Sequence, residues 1–406
     1  MFPRLKSRPT KVRDLAVNTP AAGGAGFQAQ TINAVIERGL PIRRILVTAQ
    51  MTLRVAIANF VTFGLFNLVR KFRFKVSRGG EPDQIVDISG IGLFLLNFFE
   101  RGGCDALTRF AWLISQLQAG KANQIVRITW IIECAHPRLR GEARLRSLLG
   151  NLTSDATLFM DIAGQAEICG TADPFTTGGV TFTVSVEREE MPESAQLAMV
   201  ANGAFLFWEL SESPNQIVAG SANLPFEWDV PYGGEYTSLV TWMLQGGAAL
   251  SIADISTDVA IGTETLWRLH VGSRTREEFV MREKFVENGI DYGSLPHAFD
   301  PTDAVYAVDN WASANPGGAL SGVGGLQAPA IIFHDFFCQT GDGPECFGPA
   351  LNNNWQSPAT TWQIGGRVTT TAGAVSAQFV GAYRRFVPPS DLTSLKRFGD
   401  VIAANR

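Results

Sequence analysis

The chain has 406 residues, more than one ordinary domain of roughly 100–200 residues, so two domains are expected. Hydrophobic residues make up 46% and charged residues only 18%, below the roughly 25% of soluble domains, which suggests a surface covered in large part by neighbours. A net charge of −4 argues against a chain-wide basic footprint for nucleic acid, and no specific nucleic-acid partner is expected.

Residues 1–38 read as a flexible basic arm. MFPRLKSRPTKVR carries Arg4, Lys6, Arg8, Lys11 and Arg13, and Pro3 and Pro9 interrupt any helix. Such a terminus is either a solvated tail or an arm that orders against a partner, a neighbouring subunit or anionic lipid, where clustered cations contribute about 1 kcal/mol each. Deleting residues 1–20 is therefore expected to leave a folded, assembled protein but to impair its attachment to a neighbouring subunit layer or membrane. No apolar segment of the secretory type follows the arm. The longest apolar run, Gly90 to Phe99, is interrupted by Asn97 and is half the roughly twenty residues a spanning helix needs. The chain is expected to be soluble, or peripheral to a membrane.

From residue 40 the pattern changes to strands. IRRILVTAQMTLRVAIANF holds two short β runs, one with Ile45 and Val47 on a face and one with Leu53, Val55 and Ile57. Lys71 to Ser77 alternates, with Phe72, Phe74 and Val76 inward and Lys71, Arg73 and Lys75 on the wet face. Ser89-Gly90 then precedes a short apolar helix with Leu93, Leu96 and Asn97. DALTRFAWLISQLQAG predicts an amphipathic helix with Leu107, Phe110, Ala111, Ile114 and Leu117 on one face and Gly120 at its C-terminal cap. Three strands follow: Val126, Ile128, Trp130 and Ile132 share a face, then Leu158, Met160 and Ile162, then Phe182, Val184 and Val186. In the last of these Thr181, Thr183, Ser185 and Glu187 point out, and Glu187 to Glu190 read as a solvated strand end. MPESAQ at 191–196 and SESPN at 211–215 break the pattern and look like the joint between two halves.

The second half opens with two β runs around Gly246-Gly247, followed by ETLWRLHVG. TREEFVMREKFVENG predicts a helix ending near Gly289. AIIFHDFF reads as a strand, and TTWQIGGRVTTT with VSAQFVGAYRRF as a hairpin around Ala372-Gly373. Loops of about 15 residues at 315–329 and 341–357 are long for a compact domain. Short alternating strands at this spacing predict an all-β fold of two jelly-roll sandwiches side by side, with short helices between strands. The expected divisions are an arm at 1–38, a first jelly roll at 39–195, a second at 196–390 and a tail at 391–406.

The sequence supplies little for catalysis. His136, His270, His297 and His334 form neither HExxH nor HxH, no GxSxG is present, and Gly322-Val323-Gly324-Gly325 does not continue into a phosphate-binding loop. His334 and Asp335 are strand neighbours and point to opposite faces, which disfavours a shared metal. Five widely spaced cysteines read as free thiols, although Cys338 and Cys346 flank a loop that a local bridge could close. No enzyme, cofactor or metal is expected.

Residues 62–103 carry a family resemblance. Phe63-Gly64-x-x-Asn67-Leu68-Val69 leads into a strand and a polar loop, and Ser89-Gly90 then opens the apolar helix. This order resembles the first barrel of double jelly-roll major capsid proteins of tailless icosahedral phages with an internal membrane, the tectivirus-like lineage. The resemblance implies a homotrimer of pseudo-hexagonal outline that tiles an icosahedral shell. Its implied partners are neighbouring capsomers, penton and minor capsid proteins, and the internal membrane through the arm. The implied location is the virion, after synthesis in the host cytoplasm. Two rivals stand beside it: a carbohydrate-binding or carbohydrate-active β-sandwich, which as a glycosidase needs a carboxylate pair in a cleft, and a minor capsid or spike protein.

Overall fold

A computed structural model describes residues 7–17, 28–54, 66–78, 81–101, 125–135, 137, 148–150, 152, 154–169, 175–190, 208–217, 224–230, 235–245, 248–249, 257–258, 263–264, 266–271, 274–280, 283–284, 287–288, 291, 331–335, 362–368 and 377–386. Eight strands form the first half: β1 (Ser7–Val17), β2 (Gln30–Ile36), β3 (Ile42–Leu53), β4 (Val69–Arg78), β5 (Glu81–Ile88), β6 (Ile125–Glu133), β7 (Ala156–Ile162) and β8 (Phe175–Glu189). They make two layers, ordered β1-β8-β3-β6 and β5-β4-β7-β2. Inward residues at every second position build the core between the layers; Trp130 of β6 meets Phe72 of β4 with ring centroids 5.8 Å apart. One helix, α1 (Gly90–Glu100), follows β5.

The second half holds β9 (Trp208–Ile217), β10 (Leu224–Val230), β11 (Glu235–Gln245), β12 (Ala248–Ala249), β13 (Thr257–Asp258), β14 (Thr263–Glu264), β15 (Leu266–Val271), β16 (Arg274–Val280), β17 (Ile332–Asp335), β18 (Trp362–Val368) and β19 (Ala377–Phe386). Without the short β12, β13 and β14, eight strands remain, and they repeat the first barrel. The order β9-β19-β11-β17 matches β1-β8-β3-β6, and β16-β15-β18-β10 matches β5-β4-β7-β2. The register breaks repeat too. β3 against β8 is bulged between Ile42 and Arg44, and β11 against β19 between Tyr236 and Ser238. β4 against β5 shifts between Phe74 and Lys75, and β15 against β16 between Leu269 and His270. The core of the second barrel packs Trp228 and Trp267 on Phe379, and each indole lies on a glycine, Gly381 and Gly366 respectively.

The barrels share a sheet. β5 of the first pairs in parallel with β9 of the second, at Val86 with Leu210 and Asp87 with Ser211, so one sheet of each barrel joins into a nine-stranded whole.

Several expectations are corrected. The two runs in residues 42–53 are one continuous strand, β3, while residues 55–65 lie outside the described residues. The stretch 211–215 is the middle of β9 rather than a joint, because paired β19 supplies its ladder and overrides the weak strand propensity of Ser, Glu and Pro. The helix expected from Thr275 begins instead as β16, held by β15 and placing Phe279 in the core; among the described residues of the stretch, 283–284, 287–288 and 291 are helical. β18 and β19 form no hairpin: they lie in opposite sheets, like β7 and β8. The residues expected to form the 105–120 helix and the 338–346 bridge lie outside the described set, as do both long loops.

The arm is also corrected in part. Ser7–Val17 is paired along its length with β8, and Gln30–Ile36 pairs with β7. Pro9 is tolerated because β1 is an edge strand, and pairing covers an otherwise open edge of β8. Deleting residues 1–20 is therefore expected to lower the urea midpoint of unfolding, whereas deleting residues 1–6 leaves it unchanged; equal midpoints for the two truncations would contradict the pairing.

Candidate functional site

The family-like motif lies where the barrels meet. Phe63 and Gly64 are outside the described residues, but Asn67 and Leu68 lie in a single 3-10 turn (Phe66–Leu68) and Val69 opens β4. That turn packs against the start of α1. A Cβ at Gly90 would stand 2.5 Å from the Phe66 carbonyl oxygen and 2.7 Å from that of Val69, so only glycine fits there. The Gly90 carbonyl accepts from Trp130 Nε1 at 3.1 Å. Ser89 is the N-cap: its Oγ accepts from Gly92 N at 3.0 Å.

All eleven residues of α1 are buried, Asn97 and Glu100 included, so the helix lies within the molecule rather than on it. It touches β4 and β6 of the first barrel and β11 and β19 of the second. Phe99 stacks on Phe333 of β17 at 4.7 Å, and the core runs unbroken from the first barrel into Trp208, Leu210, Val240, Trp242, Val380 and Ala382.

The polar ends of this helix are met from the second barrel. At its start, Glu212 of β9 accepts from Ser89 N at 3.0 Å and from Ser89 Oγ at 2.5 Å. Burial pushes the Glu212 carboxyl above its ordinary range, against the lowering effect of the two Ser89 bonds and of Lys71. At its end, Glu100 Oε1 accepts from Arg384 Nε at 2.7 Å and from Ser238 Oγ at 2.5 Å. Arg384 Nη1 also donates to the Glu133 carbonyl at 2.7 Å, and the guanidinium lies 5.9 Å from the Trp208 ring centre. Both side chains of this ion pair are 2% exposed.

From Glu133 the charges continue outward. Arg101 and Arg44 bind Glu133, Arg44 binds Glu187 at 2.7 Å, and Arg43 reaches Glu187 and Glu189. Glu187 and Glu189 are buried, so the expected solvated strand end is in fact an ion-pair network: Glu187 points outward as alternation requires, but arginines of β3 cover the outer face there. Lys71 and Arg73 remain on the outer face of β4 as expected, paired with Asp87 and Asp161. Among the basic residues of the arm, Arg8, Lys11 and Arg13 sit on β1 opposite Arg188, Ser185 and Val184, and Arg4 and Lys6 are outside the described residues.

Two asparagines were legible only in part. Asn97 of α1 donates to the Ile131 carbonyl of β6 at 2.6 Å. Asn288 does the same for the matching strand, donating to the Phe333 carbonyl at 3.1 Å and accepting from Phe333 N at 2.8 Å. Each barrel thus braces its sixth strand with a buried asparagine from the helical segment after its fifth. Among the described residues no group of three or more His, Cys, Asp or Glu side chains is placed to hold a metal ion, and no helix is long and apolar enough to cross a membrane.

No family model and no curated protein matches the chain. Solved structures do match, over nearly its whole length. A chain of the Sulfolobus turreted icosahedral virus structure is 13% identical, covers 98% of this chain and 98% of its own length, and has a TM-score of 0.56. The crystal structure of PBCV-1 VP54, fitted into a reconstruction of the virophage Sputnik, is 10% identical over 95% of this chain and 94% of that one, with a TM-score of 0.59. The Faustovirus major capsid protein is 8% identical over 95% and 91%, with a TM-score of 0.51. The chain therefore has the double jelly-roll fold of these capsid proteins.

Two outcomes are expected at the seam. Arg384→Met leaves Glu100 buried without its partner and should cost about 3–5 kcal/mol, whereas Glu100→Met with Arg384→Met should recover most of that loss; urea titration of both variants checks this. Because the folded-state pKa of Glu212 lies above the ordinary 4.5, the folded chain holds that proton more tightly. The resulting stability is full below about pH 4.5 and is lost as pH rises through the elevated value. Glu212→Gln, neutral throughout, should thus gain stability over the unaltered chain as pH rises toward 7; parallel pH profiles would refute the assignment.

Proposed function

We propose that this chain is a major capsid protein, a structural rather than catalytic subunit of an icosahedral virion. The observation that carries this reading is the end-to-end match: viral capsid structures cover at least 95% of the chain, both barrels included, in each of the matches with TM-scores of 0.56 or more. A partial match would fit any β-sandwich; a match through the fused pair supports the capsid role. The low charge content and the engagement of the described buried carboxylates by arginine or serine support it further.

In this reading three chains associate into a capsomer. Two barrels per chain then give six similar corners, an outline that packs into flat facets. The partners are other copies of the chain and neighbouring capsomers, with penton and minor capsid proteins at special positions of the lattice. The location is the virion shell, after synthesis in the host cytoplasm. The finer assignment to a bacteriophage with an internal membrane rests on the sequence resemblance, with the residues before β1, including Arg4 and Lys6, as the segment that meets lipid.

Size-exclusion chromatography with light scattering tests the reading. A native mass of about 132 kDa, three times the 44.0 kDa chain, is expected, with larger particles on concentration. A stable monomer that hydrolyses or binds glycans would overturn it in favour of a carbohydrate-active sandwich.

A further inference from the structure

The repeat between the barrels identifies a surface that the seam itself does not use. Matching the two bulges places Arg44 at the position of Ser238, Glu187 at that of Arg384, Ser185 at that of Ala382 and Leu46 at that of Val240. In the second barrel these positions form the face on which α1 sits: an ideal Cβ on Gly92 lies 3.0 Å from Ala382 Cβ, and Glu100 binds Arg384 and Ser238. In the first barrel the same face is the outer side of β8-β3-β6. Leu46, Thr48, Thr129, Ile131 and Ser185 are partly exposed there, and Ile125 at its margin is 65% exposed.

The element that would fill this face by repetition is also present. Matching Asn97 with Asn288 puts Glu283, Glu287 and Asp291 at the positions of Gly92, Leu96 and Glu100. All three are helical and exposed, and they lie four apart, the spacing of neighbours on one face of a helix. Lys284 bridges to Glu287 at 3.2 Å and leaves the stripe acidic. The receiving face is charged to suit. At its rim Arg43, Arg44 and Arg101 balance Glu133, Glu187 and Glu189, and Arg127, bonded to Gln50, adds a further positive charge.

We propose that the outer face of β8-β3-β6 docks the acidic 283–291 segment of a second copy of this chain, so that contacts between chains repeat the contact between barrels. This deepens the capsomer reading and rests on it. The contact is made face to helix rather than edge to edge. Pro9 stands at the position of Leu210, whose strand joins the parallel ladder with β5, and a proline there has no N–H to extend a ladder. The face is Thr- and Ser-rich where its counterpart is Trp and Val, as suits a contact formed between already folded chains.

Exposed positions allow the test without disturbing either core. Glu283→Arg with Asp291→Arg should keep the unfolding midpoint and weaken trimer association by about tenfold or more, as charge reversal at a complementary interface does. Ser185→Glu, which sets a like charge against Glu283, should do the same from the other side. Raising ionic strength from about 0.1 M to about 1 M, which shortens the screening length from about 10 Å to about 3 Å, should weaken the unaltered trimer. Ser185→Cys combined with Glu283→Cys, treated with oxidised glutathione, should give interchain disulfides on a non-reducing gel, and neither single variant should. Trimers of unaltered mass and affinity in both charge variants, or no crosslink in a double-cysteine protein shown to be trimeric, overturn the docking surface and leave the capsomer reading standing. A chain that is monomeric without any substitution overturns both.

Discussion

A helix that is buried on every side constrains everything around it. The eleven residues of α1 offer no polar face to water, so protein must cover all of them, and the unpaired groups at the helix ends must find protein partners. The first barrel supplies only part of that cover, through β4, β6 and the Phe66–Leu68 turn. The remainder comes from β11, β17 and β19, and both terminal contacts, Glu212 on Ser89 and Arg384 on Glu100, come from the second barrel. Neither barrel is a complete domain by this measure. The parallel pairing of β5 and β9 spans only two residue pairs and is too slight to fix their relation alone. The helix and its end contacts hold what the sheet merely begins.

The Glu100–Arg384 pair has a role that stability alone does not explain. Buried ion pairs often stabilise no better than apolar side chains of similar size, because desolvating both charges offsets their attraction. Arg384 Nη2 moreover has no protein acceptor among the described residues, which adds to the cost of burying the guanidinium. An apolar contact, however, tolerates sliding and rotation, whereas a guanidinium shared between a carboxylate, a carbonyl and the Trp208 ring tolerates little of either. The pair selects one angle between the barrels. In the proposed capsomer, where similar corners recur at regular intervals, a fixed angle would be worth more than a small gain in stability.

Much of the first barrel was legible because its strands alternate strictly. Phe72, Phe74 and Val76, then Trp130 and Ile132, then Val184 and Val186 all lie in the core, as period two requires. The buried helix was legible as an apolar run behind Ser89, interrupted at Asn97. What failed did so where a partner strand decides the outcome. RTREEFV has helical composition and becomes β16 because β15 supplies a ladder, and SESPN becomes β9 because β19 does. Glu187 points outward as alternation requires but is not solvated, because Arg43 and Arg44, distant in sequence, cover it. The seam was half visible. Ser89 and Gly90 stand out as a helix start, but nothing local marks Glu212 or Arg384 as their counterparts, since both partners lie more than a hundred residues away.

The repeat was invisible in the residues for the same reason that it is informative in the structure. Equivalent positions face different things. On β11 and β19 the outer face carries Val240, Trp242, Val380 and Ala382 and is sealed within the chain; on β3 and β8 it carries Leu46, Thr48, Thr183 and Ser185 and lies at the surface. Sequence similarity between halves is lost first on faces whose neighbours differ, while strand order, bulges and the bracing asparagine survive because the backbone itself demands them. The chemistry of a face then reports how permanent its contact is. A contact made once, as the chain folds, can be as apolar as a core. A contact that must form between finished subunits has to remain soluble beforehand and release a misplaced neighbour, which small hydroxyl side chains ringed by charge permit and a tryptophan would not.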